Sequence, residues 1–125
     1  MNICLDSWAV INWLEDGPSA AAVEKTIPSR PVISLVNVCE VLYILSRKHG
    51  DKAIQHVLPA LRQNLAFIEV DEELTLSASR IKAAHKMALG DAFCVATALA
   101  NNAKILTGDP EIINAKGNWK VQDLR

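Results

Sequence analysis

Residues 89–100 constrain the fold more than any other stretch, because they are almost entirely apolar yet carry one acid near their start. From residue 92 to residue 100 only Thr97 is not apolar. This pattern predicts a helix that starts just after Gly90 and is buried on nearly every face. Asp91 lies on its first turn, where the helix dipole stabilises an acid by roughly 0.3–1 kcal/mol. An ordinary helix start therefore explains Asp91, unless other acids reach the same place.

Length and composition limit the classes of protein to consider. The chain has 125 residues, of which 50% are hydrophobic and 22% are charged, which predicts a single globular domain over residues 1–125. The net charge of −1 excludes a protein that holds nucleic acid by bulk positive charge, but not a nuclease with an acidic active site. The longest apolar tract, residues 32–45, contains polar residues and is too short to span a membrane.

The cysteines and the N-terminus bear on cellular location. Cys4, Cys39 and Cys94 show no metal-ligand or redox spacing and lie within apolar runs, which indicates buried thiols in a reducing compartment. The N-terminus lacks the basic start and long apolar run of a signal peptide. We therefore expect a cytoplasmic protein.

Strands that alternate with helices predict an α/β fold. The predicted strands are residues 1–5, 32–34, 66–70, 104–107 and, less regular in pattern, 119–122. Ser7, Ser34 and Asp71 are suitable N-caps for helices, and Pro59 is expected to kink or split the helix that Asp51 opens. The alternation implies a three-layer α/β/α sandwich with a parallel sheet of four to five strands. Such sheets bind ligands outside the carboxyl ends of their strands.

Four acids are expected to meet at that edge of the sheet. Asp6 directly follows the first predicted strand, and Asp109 lies two residues after the fourth. Glu40 lies about two turns into the helix that follows the second strand, and Asp91 opens the helix that leads into the fourth. If both helices pack as ordinary crossovers, all four carboxylates surround one cleft.

A cluster of carboxylates requires a cation. Two carboxylates about 4–5 Å apart repel by roughly 3–4 kcal/mol at an effective dielectric near 20. A hard divalent ion such as Mg²⁺ or Mn²⁺ removes this repulsion and prefers oxygen ligands. His49, His56 and His85 are scattered along the chain, so no histidine cluster competes for the ion. A cation that is held by carboxylates and keeps bound waters is suited to cleavage of phosphodiester bonds.

Four short motifs occur in a compatible order and spacing. They are Leu5-Asp6-Ser7, Asn37-Val38-Cys39-Glu40, Leu89-Gly90-Asp91-Ala92 and Leu106-Thr107-Gly108-Asp109-Pro110-Glu111. Each motif alone is weak, but together they are fairly specific and extend over essentially the whole chain. With them the sequence resembles the PIN domain family, and most of all the small VapC-type toxin ribonucleases of bacterial toxin–antitoxin pairs.

The resemblance implies an endoribonuclease that depends on Mg²⁺, with Mn²⁺ as a substitute. Asp6 and Asp91 match the family's acids that hold the metal most directly. Glu40 and Asp109 match the remaining catalytic acids, which bind a second metal or position water. All four are therefore candidate catalytic and metal-binding residues.

The resemblance also implies supporting residues and partners. Ser7 and Thr107 match small hydroxyl residues that orient the acids, Asn37 belongs to the Glu40 motif, and Glu111 matches an accessory acid. The family cleaves RNA, often tRNA, in single-stranded segments, and its members usually form homodimers. A small antitoxin protein wraps the toxin and blocks the acidic cleft.

Several candidate residues also have purely structural explanations. Asp6 could be a strand-end acid, and Asp109 with Pro110 is a common turn signature. Glu40 lies among apolar neighbours, where a carboxylate without a partner costs several kcal/mol, so a buried ion pair with Arg47 is the alternative.

The surface residues leave two questions open. Trp8 and Trp13 belong to the first predicted helix and lie either in the core or on a docking face for a second copy or an antitoxin. Arg80, Lys82 and Lys86 form either contacts to RNA phosphates or a solvated helix face.

Other functions fit the sequence less well. A receiver-type signalling domain of this size also binds Mg²⁺, but it needs adjacent acids after its first strand, and Asp6 has no acidic neighbour. A PIN-like scaffold that does not cut would be expected to lose some of the four acids. A PIN-type nuclease acting on DNA or in RNA maturation remains an alternative within the same class.

Overall fold

The computed structural model describes residues 2–125, which form a five-stranded parallel sheet with helices on both faces. The strands are β1 (Asn2–Leu5), β2 (Val32–Ser34), β3 (Ala66–Ile68), β4 (Ala103–Thr107) and β5 (Lys120–Asp123). The helices are α1 (Ser7–Leu14), α2 (Ala20–Glu24), α3 (Leu35–His49), α4 (Asp51–Asn64), α5 (Glu72–Ala84), α6 (Leu89–Ala100) and α7 (Pro110–Asn114). This arrangement confirms the predicted three-layer sandwich.

The strand order, β3-β2-β1-β4-β5, creates a switch point in the middle of the sheet. The chain first winds outwards from β1 through β2 to β3, and then crosses to β4 on the other side of β1. Strands β1 and β4 pair in parallel, with Leu5 opposite Leu106. The crevice outside the carboxyl ends of these two strands is the place where open parallel sheets bind ligands.

Alternating side chains of the strands divide the core into two layers. Leu5, Ile33 and Leu106 pack on one face of the sheet, against helices α1–α4. Cys4 and Ile105 pack on the other face, against helices α5–α7. The sheet is thus apolar on both sides, as a fully covered parallel sheet must be.

Helix α6 lies between the sheet and helix α5, with every residue from Gly90 to Ala98 buried. Its predicted burial on nearly all faces is confirmed, although the helix begins at Leu89 and not after Gly90. Even this helix is not a membrane span, because no helix within residues 2–125 is both long enough and apolar enough to cross a bilayer.

The caps of three helices were predicted, and one prediction is wrong. Asp6, not Ser7, occupies the N-cap of α1, where its Oδ1 accepts a hydrogen bond from Ala9 N at 2.9 Å. Ser34 and Asp71 cap α3 and α5 as predicted. The difference matters because the Asp6 cap fixes a candidate catalytic side chain in place.

Other differences concern local structure. Helix α4 continues through Pro59 without being split. Asp109 and Pro110 do not form a simple turn, but supply the N-cap and the first residue of α7. Cys39 is exposed, whereas Cys4 and Cys94 are buried as predicted. The first predicted strand included Met1, which lies outside the described residues.

The two tryptophans of α1 are neither fully in the core nor free. Trp8 and Trp13 are half-buried and pack against the core layer under helices α1–α4. Trp13 Nε1 donates a hydrogen bond to Glu24 Oε2, which ties α1 to α2. Trp8 makes no comparable bond to a neighbouring helix among the described residues.

Candidate active site

The carboxyl ends of β1 and β4 meet through the side chain of Asp6. This residue directly follows β1 and is only 2% exposed. While its Oδ1 caps α1, its Oδ2 accepts a hydrogen bond from Thr107 Oγ1 at the end of β4. Thr107 Oγ1 in turn accepts a hydrogen bond from Asp109 N at 2.9 Å. Both oxygens of Asp6 thus have partners, and its side chain is held in one orientation.

The loop after β4 carries two further acids, and their carboxylates support local structure. Asp109 caps α7, and its Oδ1 accepts a hydrogen bond from Glu111 N at 2.9 Å. Glu111 Oε1 accepts a hydrogen bond from Ala88 N at 3.2 Å, immediately before α6. This contact joins the loop after β4 to the start of α6.

Asp91 lies at the centre of these elements, on the first turn of α6. One carboxylate oxygen from each of Asp91, Asp109 and Glu111 lies within 4.8 Å of the other two. Asp91 Oδ2 is buried and has no hydrogen-bond partner within residues 2–125. Such an atom is rare in a folded protein, since an unsatisfied buried polar group costs about 1–3 kcal/mol.

Burial of these acids changes their protonation. Burial, together with the neighbouring carboxylates of Asp109, Asp6 and Glu111, raises the pKa of Asp91 to about 8. Burial also raises the pKa of Asp6 to about 7, although hydrogen bonds from Thr107 and Ala9 N oppose that rise. Desolvation and like charges both disfavour the ionised carboxylate, so a bound cation would reverse both shifts.

Glu40 approaches the same place from helix α3. Asn37 Nδ2 donates hydrogen bonds to Glu40 Oε1 at 2.7 Å and to Gly90 O at 3.0 Å. Ser34 Oγ donates to Asn37 Oδ1 at 2.8 Å and so fixes the orientation of that amide. The Glu40 carboxylate packs on Gly90, where an added Cβ would lie 2.3 Å from Oε2. The Glu40 carboxylate of α3 therefore contacts the residue that precedes Asp91 in α6.

The structural alternative for Glu40 is not found. The Arg47 guanidinium lies over the Tyr43 ring, 5.2 Å from its centroid, and not beside Glu40. Within residues 2–125 the ion pairs join Glu15 to Lys48 and His49, and Asp123 to Arg125. No basic side chain in this part of the chain therefore neutralises the candidate site.

The candidate residues thus fall into three positions around one edge of the sheet. Asp91, Asp109 and Glu111 form the compact group of carboxylates. Asp6 lies buried beside Asp109, and Glu40 packs on Gly90 at the start of α6. Ser7 follows Asp6 at the start of α1 and lines a cleft that Asp109 also lines.

Sequence reasoning missed how Ser34 contributes to the site, because its capping role alone explained it. Ser34, Asn37 and Glu40 are spaced three residues apart on one helix face. That spacing was the available signal for a chain of side-chain hydrogen bonds. The contact between Glu111 and Ala88 N had no such signal, because it joins residues 23 positions apart.

The arrangement fits a hard divalent cation. Its donors are carboxylate oxygens, and one of them is buried without a protein partner. Mg²⁺ and Mn²⁺ prefer such oxygen ligands, whereas softer metals prefer thiolate or imidazole. The two buried cysteines lie beneath the site, with their Sγ atoms 4.0 Å apart, and do not belong to the carboxylate group.

Fold and site together define the class of the protein: an α/β sandwich with an acidic site at the switch point of its parallel sheet. The family model of the PIN domain matches residues 3–118. The chain belongs to the PIN domain family. No curated protein matches the chain by sequence.

Solved structures share this fold at low sequence identity. A toxin–antitoxin complex from Klebsiella pneumoniae is similar with a TM-score of 0.79 and 19% identity, over 100% of this chain and 98% of that chain. DNA-bound VapBC from Salmonella typhimurium is similar with a TM-score of 0.80 and 13% identity, over 100% of this chain and 99% of that chain. Mycobacterium tuberculosis VapC20, a sarcin-ricin loop cleaving toxin, is similar with a TM-score of 0.76 and 16% identity, over 94% of this chain and 97% of that chain.

Proposed function

We propose that the chain is a metal-dependent endoribonuclease and the toxin of a toxin–antitoxin pair. The observation that carries this proposal is the buried, unpartnered Oδ2 of Asp91 beside the carboxylates of Asp109 and Glu111. In a PIN-family chain this group is best explained as a site for Mg²⁺, with Mn²⁺ as a substitute.

The residues divide the work of such a site among them. Asp91, Asp109 and Glu111 would hold the cation, and Asp6 beside Asp109 and Glu40 beside Gly90 are the further candidate ligands. When bound, the cation polarises the phosphate and supplies a nucleophilic water. Asp6 contributes a negative charge fixed by its bonds to Ala9 N and Thr107 Oγ1, so no reorientation is needed during the reaction.

Asn37 positions the fourth proposed catalytic acid. Its amide holds Glu40 Oε1 and the carbonyl of Gly90 together, so the Glu40 carboxylate and the start of α6 keep a fixed separation. The second oxygen of Glu40 packs against Gly90, the residue that precedes Asp91 in α6. There it orients an attacking water or accepts its proton.

The similarity to toxins supports the choice of substrate and partners. VapC20, which cleaves the sarcin-ricin loop, favours RNA as the substrate. The complexes from Klebsiella pneumoniae and Salmonella typhimurium favour a small antitoxin as the protein partner. We extend the proposal to a homodimer that acts in the cytoplasm and to structured RNA, tRNA included, as its target.

Cleavage of total RNA by the purified protein tests this proposal. We expect discrete fragments with Mg²⁺ or Mn²⁺, and none with a chelator or with Asp91→Asn. The matched control is Asp123→Asn, which removes an exposed acid from β5 and should cut like the wild type. Cleavage by Asp91→Asn at the wild-type rate would disprove the site. A folded protein that cuts neither RNA nor DNA with any divalent metal would instead be a non-cutting PIN scaffold.

A further inference from the structure

A cleft between α1 and α3 opens directly beside the acidic site. Its volume is about 320 Å³, and its walls include Ser7, Trp8, Ile11, Asn12, Ile44 and Asp109. Asp109 also belongs to the carboxylate group around Asp91. The cleft is therefore continuous with the place where a scissile phosphate would lie.

The ring of Trp8 is fixed against the loop that carries Asp109. A Cβ added at Gly108 would lie 2.3 Å from Trp8 Cζ2, so the indole packs directly on the glycine. Trp8 is only half-buried, and its remaining surface lines the cleft together with Ile11 and Ile44. An aromatic wall that is rigidly held next to a phosphate-cleaving site suits the stacking of a base.

Asn12 adds an oriented polar group to this apolar cleft. Its Oδ1 accepts a hydrogen bond from Ser19 N at 2.8 Å, and its amide packs on Gly17. The bond to Ser19 N fixes the amide plane, and within residues 2–125 Nδ2 has no acceptor, so it can donate to a ligand. Carboxamides placed in this way read the hydrogen-bonding edges of bases.

We propose that this cleft binds the nucleobase next to the scissile phosphate and so contributes to the choice of cleavage site. The proposal rests on the proposed endoribonuclease function. A phosphate in the cleft would meet the carboxylate of Asp109, whereas Glu15, which also lines the cleft, is already paired with Lys48 and His49. An uncharged, planar group with a polar edge avoids this repulsion and uses Trp8 and Asn12 together. The volume lies within the range of small-ligand pockets, roughly 300–1,000 Å³.

Filling the cleft tests the proposal without touching an acid. Ile44→Trp places a large side chain in the cleft, and the matched control is Leu76→Trp on the exposed face of α5. The substrate is a single-stranded RNA that contains one wild-type cleavage site. Two further versions of it carry an abasic nucleotide, one on each side of the scissile bond.

We expect one abasic substitution to lower the wild-type kcat/KM roughly 5- to 150-fold, which is the equivalent of losing one base–aromatic stack. Ile44→Trp should lower kcat/KM on the intact RNA by a similar factor and show no further loss on that abasic RNA. Leu76→Trp should behave like the wild type on all three RNAs. If Ile44→Trp cuts intact RNA normally, or is as sensitive to the abasic nucleotide as the wild type, the proposal is wrong and the cleft is left to a protein partner.

A binding measurement separates this proposal from the proposed function. The indole N–H signal of Trp8, identified by its loss in Trp8→Phe, is followed by NMR with adenosine and uridine 5′-monophosphate. Ribose 5-phosphate, which has no base, is the control ligand. A shift caused by the nucleotides alone supports the cleft even if the wild type cuts no RNA, in which case only the nuclease function fails. No shift with either nucleotide overturns the base cleft, whatever the cleavage assay shows.

Discussion

The candidate site contains two pairs of acids that the fold holds in different ways. Asp6 and Asp91, the floor acids, are 2% and 8% exposed. Asp109 and Glu111, the rim acids, are half-buried and exposed respectively. The floor acids come from the end of β1 and the start of α6, whereas the rim acids belong to the short helix α7 and its cap. Burial therefore makes ionisation costly on the floor.

This difference shows which residues the metal requirement constrains most. Burial raises the pKa of both floor acids, Asp91 to about 8 and Asp6 to about 7. A protein gains no stability from such acids in their ionised form. The rim acids already cap α7 and bond Ala88 N, so they would be useful to the fold without a cation. The floor acids are thus a stronger indication of a bound cation than the rim acids.

The largest expected effect is the loss of cleavage when a floor acid becomes neutral. Asp91→Asn should reduce RNA cleavage to background, yet raise the melting temperature of the protein in chelator, because a buried charge is removed. Asp6→Asn should also abolish cleavage, with a smaller gain in stability, because the amide cannot accept from both Ala9 N and Thr107 Oγ1. Cleavage assays and thermal unfolding measure the two effects. If a floor variant still cleaved RNA and melted at a lower temperature than the wild type, the floor acids would not differ from the rim acids in the way proposed.

The next effect is a dependence of stability on pH that the metal should suppress. Because the pKa of each floor acid is higher in the folded protein than in the unfolded chain, the unfolded chain releases protons first as the pH rises. The stability that the floor acids contribute is then fully present below about pH 4 and is lost as the pH rises through about 7 and 8. Each pKa unit corresponds to about 1.4 kcal/mol, so the loss amounts to several kcal/mol.

Denaturant unfolding in chelator measures this loss between about pH 5 and pH 8.5, a range that spans the raised pKa values of both floor acids. Asp91→Asn should flatten the dependence, and saturating Mn²⁺ should restore stability at the upper end by binding the folded state. A wild-type protein whose stability in chelator rises over this range would show that the floor acids ionise without cost.

A moderate effect is expected where Glu40 meets the floor. Glu40→Gln should weaken Mn²⁺ binding in calorimetry, because it removes a negative charge close to Asp91. Gly90→Ala should also lower cleavage, since the new Cβ would lie 2.3 Å from Glu40 Oε2 and displace the carboxylate from Asn37. Alanine favours a helix over glycine by up to about 1 kcal/mol, so this variant should fold normally. Unchanged Mn²⁺ affinity in Glu40→Gln would limit Glu40 to a structural role.

The sequence predicts that strand ends bring acids to one edge of the sheet, but not the exposure or the contacts of these acids. Asp6 and Asp109 follow apolar strands, and in a parallel sheet this order alone brings them to one edge. The position of Asp91 at the start of a buried helix was predicted from the apolar residues that follow it. The distinction between floor and rim was not predictable, because it depends on Thr107 bonding Asp6 and on how deeply α6 packs. Such depth arises from contacts between distant segments, which periodicity does not encode.

Local signals explain the errors as well. Ser7 and Asp6 are both good caps, and only the geometry after β1 decides between them. Helix α7 was missed because five residues are too few for a periodic pattern. Cys39 was predicted to be buried because its neighbours are apolar, but it lies on the exposed side of α3. In each case a short segment fits two structures, and its tertiary surroundings select one.

The smallest expected effect belongs to the outer rim. Glu111→Gln keeps an oxygen that can accept from Ala88 N but loses the charge that faces Asp91 and Asp109. Because Glu111 is exposed, Mn²⁺ affinity should fall by only about tenfold, while stability in chelator should change by less than about 0.5 kcal/mol. Glu111→Ala loses the bond to Ala88 N as well, so any further loss of activity reports on the position of α6. If Glu111→Gln abolished cleavage as fully as Asp91→Asn, exposure would not determine how strongly an acid contributes to this site.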